Sequence, residues 1–308
     1  MADARPLLLL RYVGGDEVGL EFMADISAPP RAMDLRSRFG EPVFDEGVVG
    51  PVLSADGQWV AVLQEQGIVV RRVDGSQTHT IVLEDPARMY QMLCGFSPDS
   101  RALLYRTGQQ EHVRWADHAP DPGYDLLTLS TMEHRRVKMV YGFSQWFPDS
   151  RRVLFTDGGK GELWLSQRDV DSDEGQILVN WGRSFGAPVV HDGLVYVRGS
   201  RLVLHKDPDR EEYVDLTGEG APGQFRDPTF SFDGTRVAYA DGRAIRVISL
   251  ADMTAATWMV CTGQCEFEWD SPTTLLVLDV GVLARASQAA PPAVTAKEGI
   301  AGFVVAGR

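Results

Sequence analysis

Asp169, Asp171 and Asp173 stand at alternate positions in the run DVDSD, the spacing at which carboxylates ligate calcium in a twelve-residue loop. Such a loop needs glycine at its sixth position and a bidentate glutamate at its twelfth; this chain has Glu174 and Asn180 there, so a solvated hairpin turn explains the residues better. Gly218-Glu219-Gly220-Ala221-Pro222-Gly223 spells G-x-G-x-x-G, yet no helical pattern follows it. A dinucleotide site requires that helix, because its N-terminus holds the pyrophosphate. Gly158-Gly159-Lys160-Gly161 lacks the spacing and the hydroxyl residue of a phosphate-binding loop and reads as a hairpin tip. Cys261 and Cys265 form one C-x-x-x-C pair without two further zinc ligands nearby, and read as small apolar residues near a strand end. His79, His112, His118, His134, His191 and His205 are scattered among different repeats, none in H-E-x-x-H spacing, and no G-x-S-x-G elbow exists. No catalytic residue, cofactor or metal is therefore expected.

What positions these residues is a repeat. FSPDSRALLYRT (from Phe96) has near-copies LSADGQWVAVLQ (Leu53), WFPDSRRVLFTD (Trp146) and FSFDGTRVAYAD (Phe230), with eroded copies VVHDGLVYVRG (Val189) and FEWDSPTTLLVLD (Phe267). Each sets an apolar residue before a tight turn built on Asp, then an apolar strand; Asp bonds its own backbone two residues on, and a following Gly or Ser tolerates the turn. The turn aspartates are read as Asp56, Asp99, Asp149, Asp192, Asp233 and Asp270, at intervals of 43, 50, 43, 41 and 37 residues. A period near 43 with four strand-like runs is the pattern of a propeller blade. The Asp233 period shows all four: PTFSFDG, TRVAYA, AIRVISL and ATWMVCT, rich in Val, Ile, Thr and aromatic residues.

Leu216-Thr217-Gly218, then Pro228 and Phe230-Ser231-Phe232-Asp233-Gly234 followed by VAYA, resembles the WD40-like repeat of the TolB propeller family, and FSPDS at Phe96 and FPDS at Phe147 match the same pattern. The resemblance spans about residues 49 to 280. It implies a propeller and says little about function. Outside the six copies, LLLLRYV, EVGLEFMADI and PRAMDLRSRFG supply second, third and outer strands, while GIAGFVVAGR ends the chain as a strand with no successor. The fold expected is all-β: a single domain over residues 1–308, a seven-bladed propeller closed by strands from both termini. Six blades is the alternative if the N-terminal run packs elsewhere. The AAPPAV patch at Ala289 to Val294 reads as a loop.

Thr107 to Tyr124, TGQQEHVRWADHAPDPGY, lengthens the link between second and third strands in the Asp99 repeat. It carries Arg114 and Trp115, with Glu111, His112, Asp117 and His118 around them. Trp and Arg on a projecting loop anchor protein contacts, so this set is the candidate partner-binding surface of a non-enzymatic interaction module. The alternative is an enzyme or small-ligand binder using the mouth of a central channel.

Composition narrows the partners. Forty-three acidic against 30 basic residues give a net charge of −13, which disfavours nucleic acid and anionic membranes. No apolar run reaches transmembrane length, and four consecutive leucines near the start are too few for a secretory leader. A cytoplasmic monomer that captures a protein partner is the expectation.

Overall fold

The computed structural model describes residues 5–14, 17–25, 27–38, 50–64, 67–82, 89–109, 124–137, 144–159, 162–172, 174–180, 189–191, 193–198, 200–206, 213–217, 225–263, 265–288, 290–294 and 300–306. They form seven four-stranded sheets and no helix, a seven-bladed β-propeller. No helix among them is therefore long and apolar enough to cross a membrane.

The first sheet holds β1 (Leu7–Gly14), β2 (Glu17–Met23) and β3 (Arg31–Arg38). The second is β4 (Val52–Leu53), β5 (Trp59–Gln64), β6 (Gly67–Arg72) and β7 (Thr78–Val82). The third is β8 (Met89–Phe96), β9 (Ala102–Gln109), β10 (Tyr124–Thr128) and β11 (Glu133–Val137). The fourth is β12 (Ser144–Trp146), β13 (Arg152–Gly159), β14 (Glu162–Asp169) and β15 (Gly175–Asn180). The fifth is β16 (Val189–Val190), β17 (Leu194–Arg198), β18 (Arg201–His205) and β19 (Tyr213–Asp215). The sixth is β20 (Phe225–Phe230), β21 (Arg236–Asp241), β22 (Ala244–Ser249) and β23 (Ala255–Val260). The seventh is β24 (Cys265–Ser271), β25 (Thr274–Asp279), β26 (Val282–Ser287) and β27 (Ala290–Val294). The last strand, β28 (Gly302–Val305), returns to the first sheet, whose order is β28-β1-β2-β3. Both termini thus supply one blade, as the unpaired terminal runs predict.

The chain forms two compact units, one comprising Met1–Arg5, Asp25–Ser27 and Arg183–Val305, the other Pro6–Ala24, Ala28–Gly182 and Ala306–Arg308. Within each, the core lies between consecutive sheets. Trp59, Ala61 and Leu63 of β5 pack with Leu93, Phe96, Leu103 and Tyr105 of the next sheet, while Leu104 turns the other way onto Trp146, Val153 and Phe155. Alternation along β9 therefore feeds two different cores, because successive side chains leave opposite faces of a strand. In the other unit, Val195, Val197, Leu202 and Leu204 meet Phe225, Val237 and Tyr239, and Ala238, Ile245 and Trp258 meet Phe267, Trp269 and Val277.

The repeated turn is a hydrogen-bond device. In three blades a buried serine donates its hydroxyl to the turn aspartate (Ser54 to Asp56 at 2.6 Å, Ser97 to Asp99 at 2.7 Å, Ser231 to Asp233 at 2.7 Å). The same oxygen accepts the amide that opens the next strand: Trp59 at 2.9 Å, Ala102 at 3.0 Å, Arg236 at 2.9 Å. The Asp149 blade has Phe147 in the serine's place. Asp149 there accepts the Arg151 and Arg152 amides itself, both at 3.0 Å, and the Arg152 guanidinium at 2.5 Å. Ser97→Ala should cost about 1–3 kcal/mol in urea unfolding, because the Ala102 amide and the Asp99 carboxylate both lose the buried Ser97 hydroxyl as a partner. A variant within about 0.5 kcal/mol of the parent would show the serine to be dispensable.

The residue after the turn aspartate lies in the left-handed region (Gly57 φ 66°, Ser100 φ 59°, Ser150 φ 60°, Gly234 φ 67°), and what it faces decides its type. Ser100 and Ser150 accept the amides of Asp56 and Asp99 from the preceding blade, at 3.0 and 2.9 Å. A Cβ on Gly57 would lie 2.6 Å from the Pro6 ring, and one on Gly234 2.4 Å from the His191 ring. Asp-Ser therefore occurs where the hydroxyl bridges blades, and Asp-Gly where a neighbouring ring closes the space.

Two elements differ from the sequence reading. AAPPAV is not a loop: Ala290–Val294 is strand β27 at the outer edge of its sheet, and Pro291 and Pro292 fall at the register shift between Arg285 and Ser287, where the ladder is already interrupted. Asp270 is not a turn aspartate either. β24 runs through Ser271, which occupies the place of Ser54, Ser97 and Ser231, and Thr273 stands where those blades have Asp; the Thr273 amide donates to the Ser271 hydroxyl at 3.3 Å. In this register the last interval is 40 residues in place of 37.

Candidate functional site

The corrected register puts Asp270 where the other blades carry Leu53, Phe96, Trp146 and Phe230. A carboxylate thus occupies an apolar position. It is 3% exposed. Oδ2 accepts from the Arg285 guanidinium on β26 at 2.7 Å, while Oδ1 and Arg285 Nε are buried without a hydrogen-bond partner among the described residues. Burial pushes the Asp270 carboxyl above its ordinary pKa; Arg285 opposes this by charge and hydrogen bond, Asp25 adds to it, and Arg5 opposes it weakly. The Arg5 guanidinium carbon sits 3.3 Å from the Phe232 ring centroid, a cation–π contact, and burial lowers its pKa while Asp270 raises it. Asp25 accepts from the Ser27 amide at 2.7 Å.

The result is one carboxylate, Asp25, and two guanidiniums, Arg5 and Arg285, around one buried, half-satisfied carboxyl. A carboxyl with raised pKa beside a second carboxylate is equipped to take and return protons. A bound group with adjacent donor and acceptor would satisfy both orphan atoms. The sequence signal was present, since a charge replaces an apolar residue, but placing Asp270 in the turn hid it.

The sequence-derived candidates resolve differently. Glu111, His112, Arg114, Trp115, Asp117 and His118 lie outside the described residues, as do Gly218–Gly223, Lys160, Gly161, Asp173 and Asp192. Thr107–Gln109 continue β9, so the inserted link itself is 110–123. Asp169 accepts the amides of Asp171 and Ser172 at 2.8 and 3.0 Å and the Arg151 guanidinium at 3.0 Å, and Asp171 pairs with Arg135 at 2.8 Å. These carboxylates are committed to the β14–β15 turn and its arginine neighbours. Cys261 and Cys265 are bonded to each other as a disulfide across the β23–β24 link, in place of the two separate apolar side chains expected. Both are buried, at 3% and 5% exposure, so the apolar character holds while the pairing needed the chain to fold back over four residues.

No protein-family model matches the chain. No curated protein matches it. Among solved structures it is similar to dipeptidyl peptidase 4 of Porphyromonas gingivalis (11% identity, TM-score 0.59, covering 96% of this chain and 51% of that one). It is also similar to TolB of Acinetobacter baumannii (11%, TM-score 0.51, 97% and 82%). A third similar structure is the oligogalacturonate lyase of Vibrio parahaemolyticus (12%, TM-score 0.54, 94% and 86%). The chain spans about half the length of the peptidase. These likenesses and the seven sheets define a seven-bladed propeller of TolB-like fold. At such identities they speak to the fold alone.

Proposed function

We propose that the chain is a non-enzymatic recognition propeller, a cytoplasmic monomer that binds a protein partner through the link between β9 and β10. The observation that carries this reading is length. In the other six sheets the second and third strands are joined by two residues (15–16, 65–66, 160–161, 199–200, 242–243 and 280–281), whereas 110–123 is fourteen residues. A long link on one blade of a regular scaffold presents side chains that the fold itself does not need. Trp115 is its anchor and Arg114 a planar donor, with Glu111, His112, Asp117 and His118 forming the polar surround.

Replacing Arg114 and Trp115 together with Ala should weaken partner capture about thirtyfold, the equivalent of roughly 2 kcal/mol for a buried Trp, and leave the melting temperature unchanged. Capture from the native host by parent and variant, read beside their melting curves, checks this. Loss of stability in the variant would make Trp115 a packing residue and sink the proposal.

A second reading, small-ligand binding or catalysis, is favoured by the Asp270 cluster, whose orphan Oδ1 and Arg285 Nε fit a vicinal diol or a primary amide. In that reading the raised Asp270 carboxyl acts as the proton donor or acceptor.

A further inference from the structure

His79 and His134 are 55 residues apart and belong to the outer strands β7 and β11 of consecutive sheets within one unit. Their Nε2 atoms lie 3.2 Å from each other, with ring centroids 5.3 Å apart and planes inclined by 32°. Zinc–imidazole bonds of about 2.0–2.1 Å at a tetrahedral angle place two ligand nitrogens about 3.3 Å apart, so the pair already has the bite of a chelate. The other nitrogen of His134, Nδ1, is 2.7 Å from the Tyr105 hydroxyl, which approaches edge-on. The phenol oxygen can accept a hydrogen bond from Nδ1–H. A metal-ligating histidine needs such an outer partner, because a proton held on one nitrogen leaves the lone pair of the other for the ion. Asp125, ion-paired with Arg136 at 3.1 Å, lies in electrostatic range of both Tyr105 and His134. His134 is exposed and His79 half-buried, which leaves room for water to complete the coordination.

We propose that His79 and His134 form a two-histidine site for a divalent late transition metal, Zn²⁺ above all, with Tyr105 as the residue that orients His134. Imidazole is the ligand such ions favour, and a two-nitrogen chelate open to water suits reversible binding. The ion joins the outer strands of two blades. By linkage it raises the stability of the folded chain in proportion to the logarithm of its free concentration.

The test uses full-length protein freed of metal by chelator, titrated with ZnCl₂ at pH 7.5 by calorimetry, with melting curves at the same zinc concentrations. One equivalent of zinc is expected at this site, with a zinc-dependent rise in melting temperature. His79→Gln and His134→Gln should each weaken uptake at least tenfold and abolish the rise, while their zinc-free melting temperatures stay near the parent's. Tyr105→Phe should weaken uptake about tenfold to a hundredfold with both histidines intact, since losing an outer partner costs that much. Equal uptake by the parent and the His79→Gln/His134→Gln double variant would place the zinc on other residues and overturn the proposal. Absence of uptake by the parent would also overturn it, leaving the pair as two imidazoles sharing one hydrogen bond.

Discussion

Removing residues 299–308 should unfold the protein at physiological temperature or lower its melting temperature by more than about 10 °C. The deletion strips β28 from β1 and takes away Ile300, Phe303, Val305 and Ala306, which are 5%, 8%, 3% and 0% exposed. It also removes the Ala306 amide that donates to the Pro6 carbonyl at 2.9 Å. Burying an aliphatic or aromatic side chain contributes about 1.5–3 kcal/mol, so the three large residues account for roughly 5–9 kcal/mol before relaxation, which is comparable to the whole net stability of a typical domain. The uncovered edge adds a second penalty: Leu7, Leu8, Leu9 and Leu10, now 0–2% exposed, would lie along an unpaired strand, a template for aggregation. Calorimetry and size-exclusion chromatography of the truncated chain check this. A melting temperature within about 3 °C of the parent's would mean that the C-terminal strand does not close the fold.

Replacing the Asp270–Arg285 pair by Leu and Met should leave stability unchanged or raise it at neutral pH by about 1–4 kcal/mol, the range found when buried ion pairs give way to apolar residues of similar size. Leu at 270 matches Leu53 in the equivalent place of another blade and removes the buried, unsatisfied Oδ1. The pH dependence follows from the sign of the shift. Asp270 has a folded pKa above its ordinary 3.8, so the folded chain binds its proton more tightly than the unfolded chain does. That contribution to stability is fully present below about pH 3.8 and is lost as pH rises through the folded pKa. The gain of the double variant over the parent should therefore grow from acidic to neutral pH and then level off. Urea unfolding of both proteins between pH 4 and 8 measures it. A double variant less stable than the parent at pH 7 would show that the ion pair serves the fold, and would remove the argument that Asp270 is kept for a ligand.

The blades are legible in the amino-acid order alone. Turn chemistry acts over five residues: the serine, the aspartate and the amides they satisfy are all local, so S-x-D-G and its relatives reveal each hairpin before any packing is known. Period-two apolar runs then place the strands, and a second-third-outer series at one end with a lone strand at the other dictates the shared blade. Tertiary structure decided what locality cannot reach. The register of the last blade was ambiguous because Thr273 replaces the aspartate, and only pairing of Ser271 with Thr274 across the turn settles it. Pro291 and Pro292 read as loop residues because the sequence does not say which strand lies at an edge. The Cys261–Cys265 bond depends on how one link folds back, and the His79–His134 pair joins residues that no spacing rule connects. The His79–His134 contact is made between blades, where the distance in space is set by packing and the distance along the chain carries no signal.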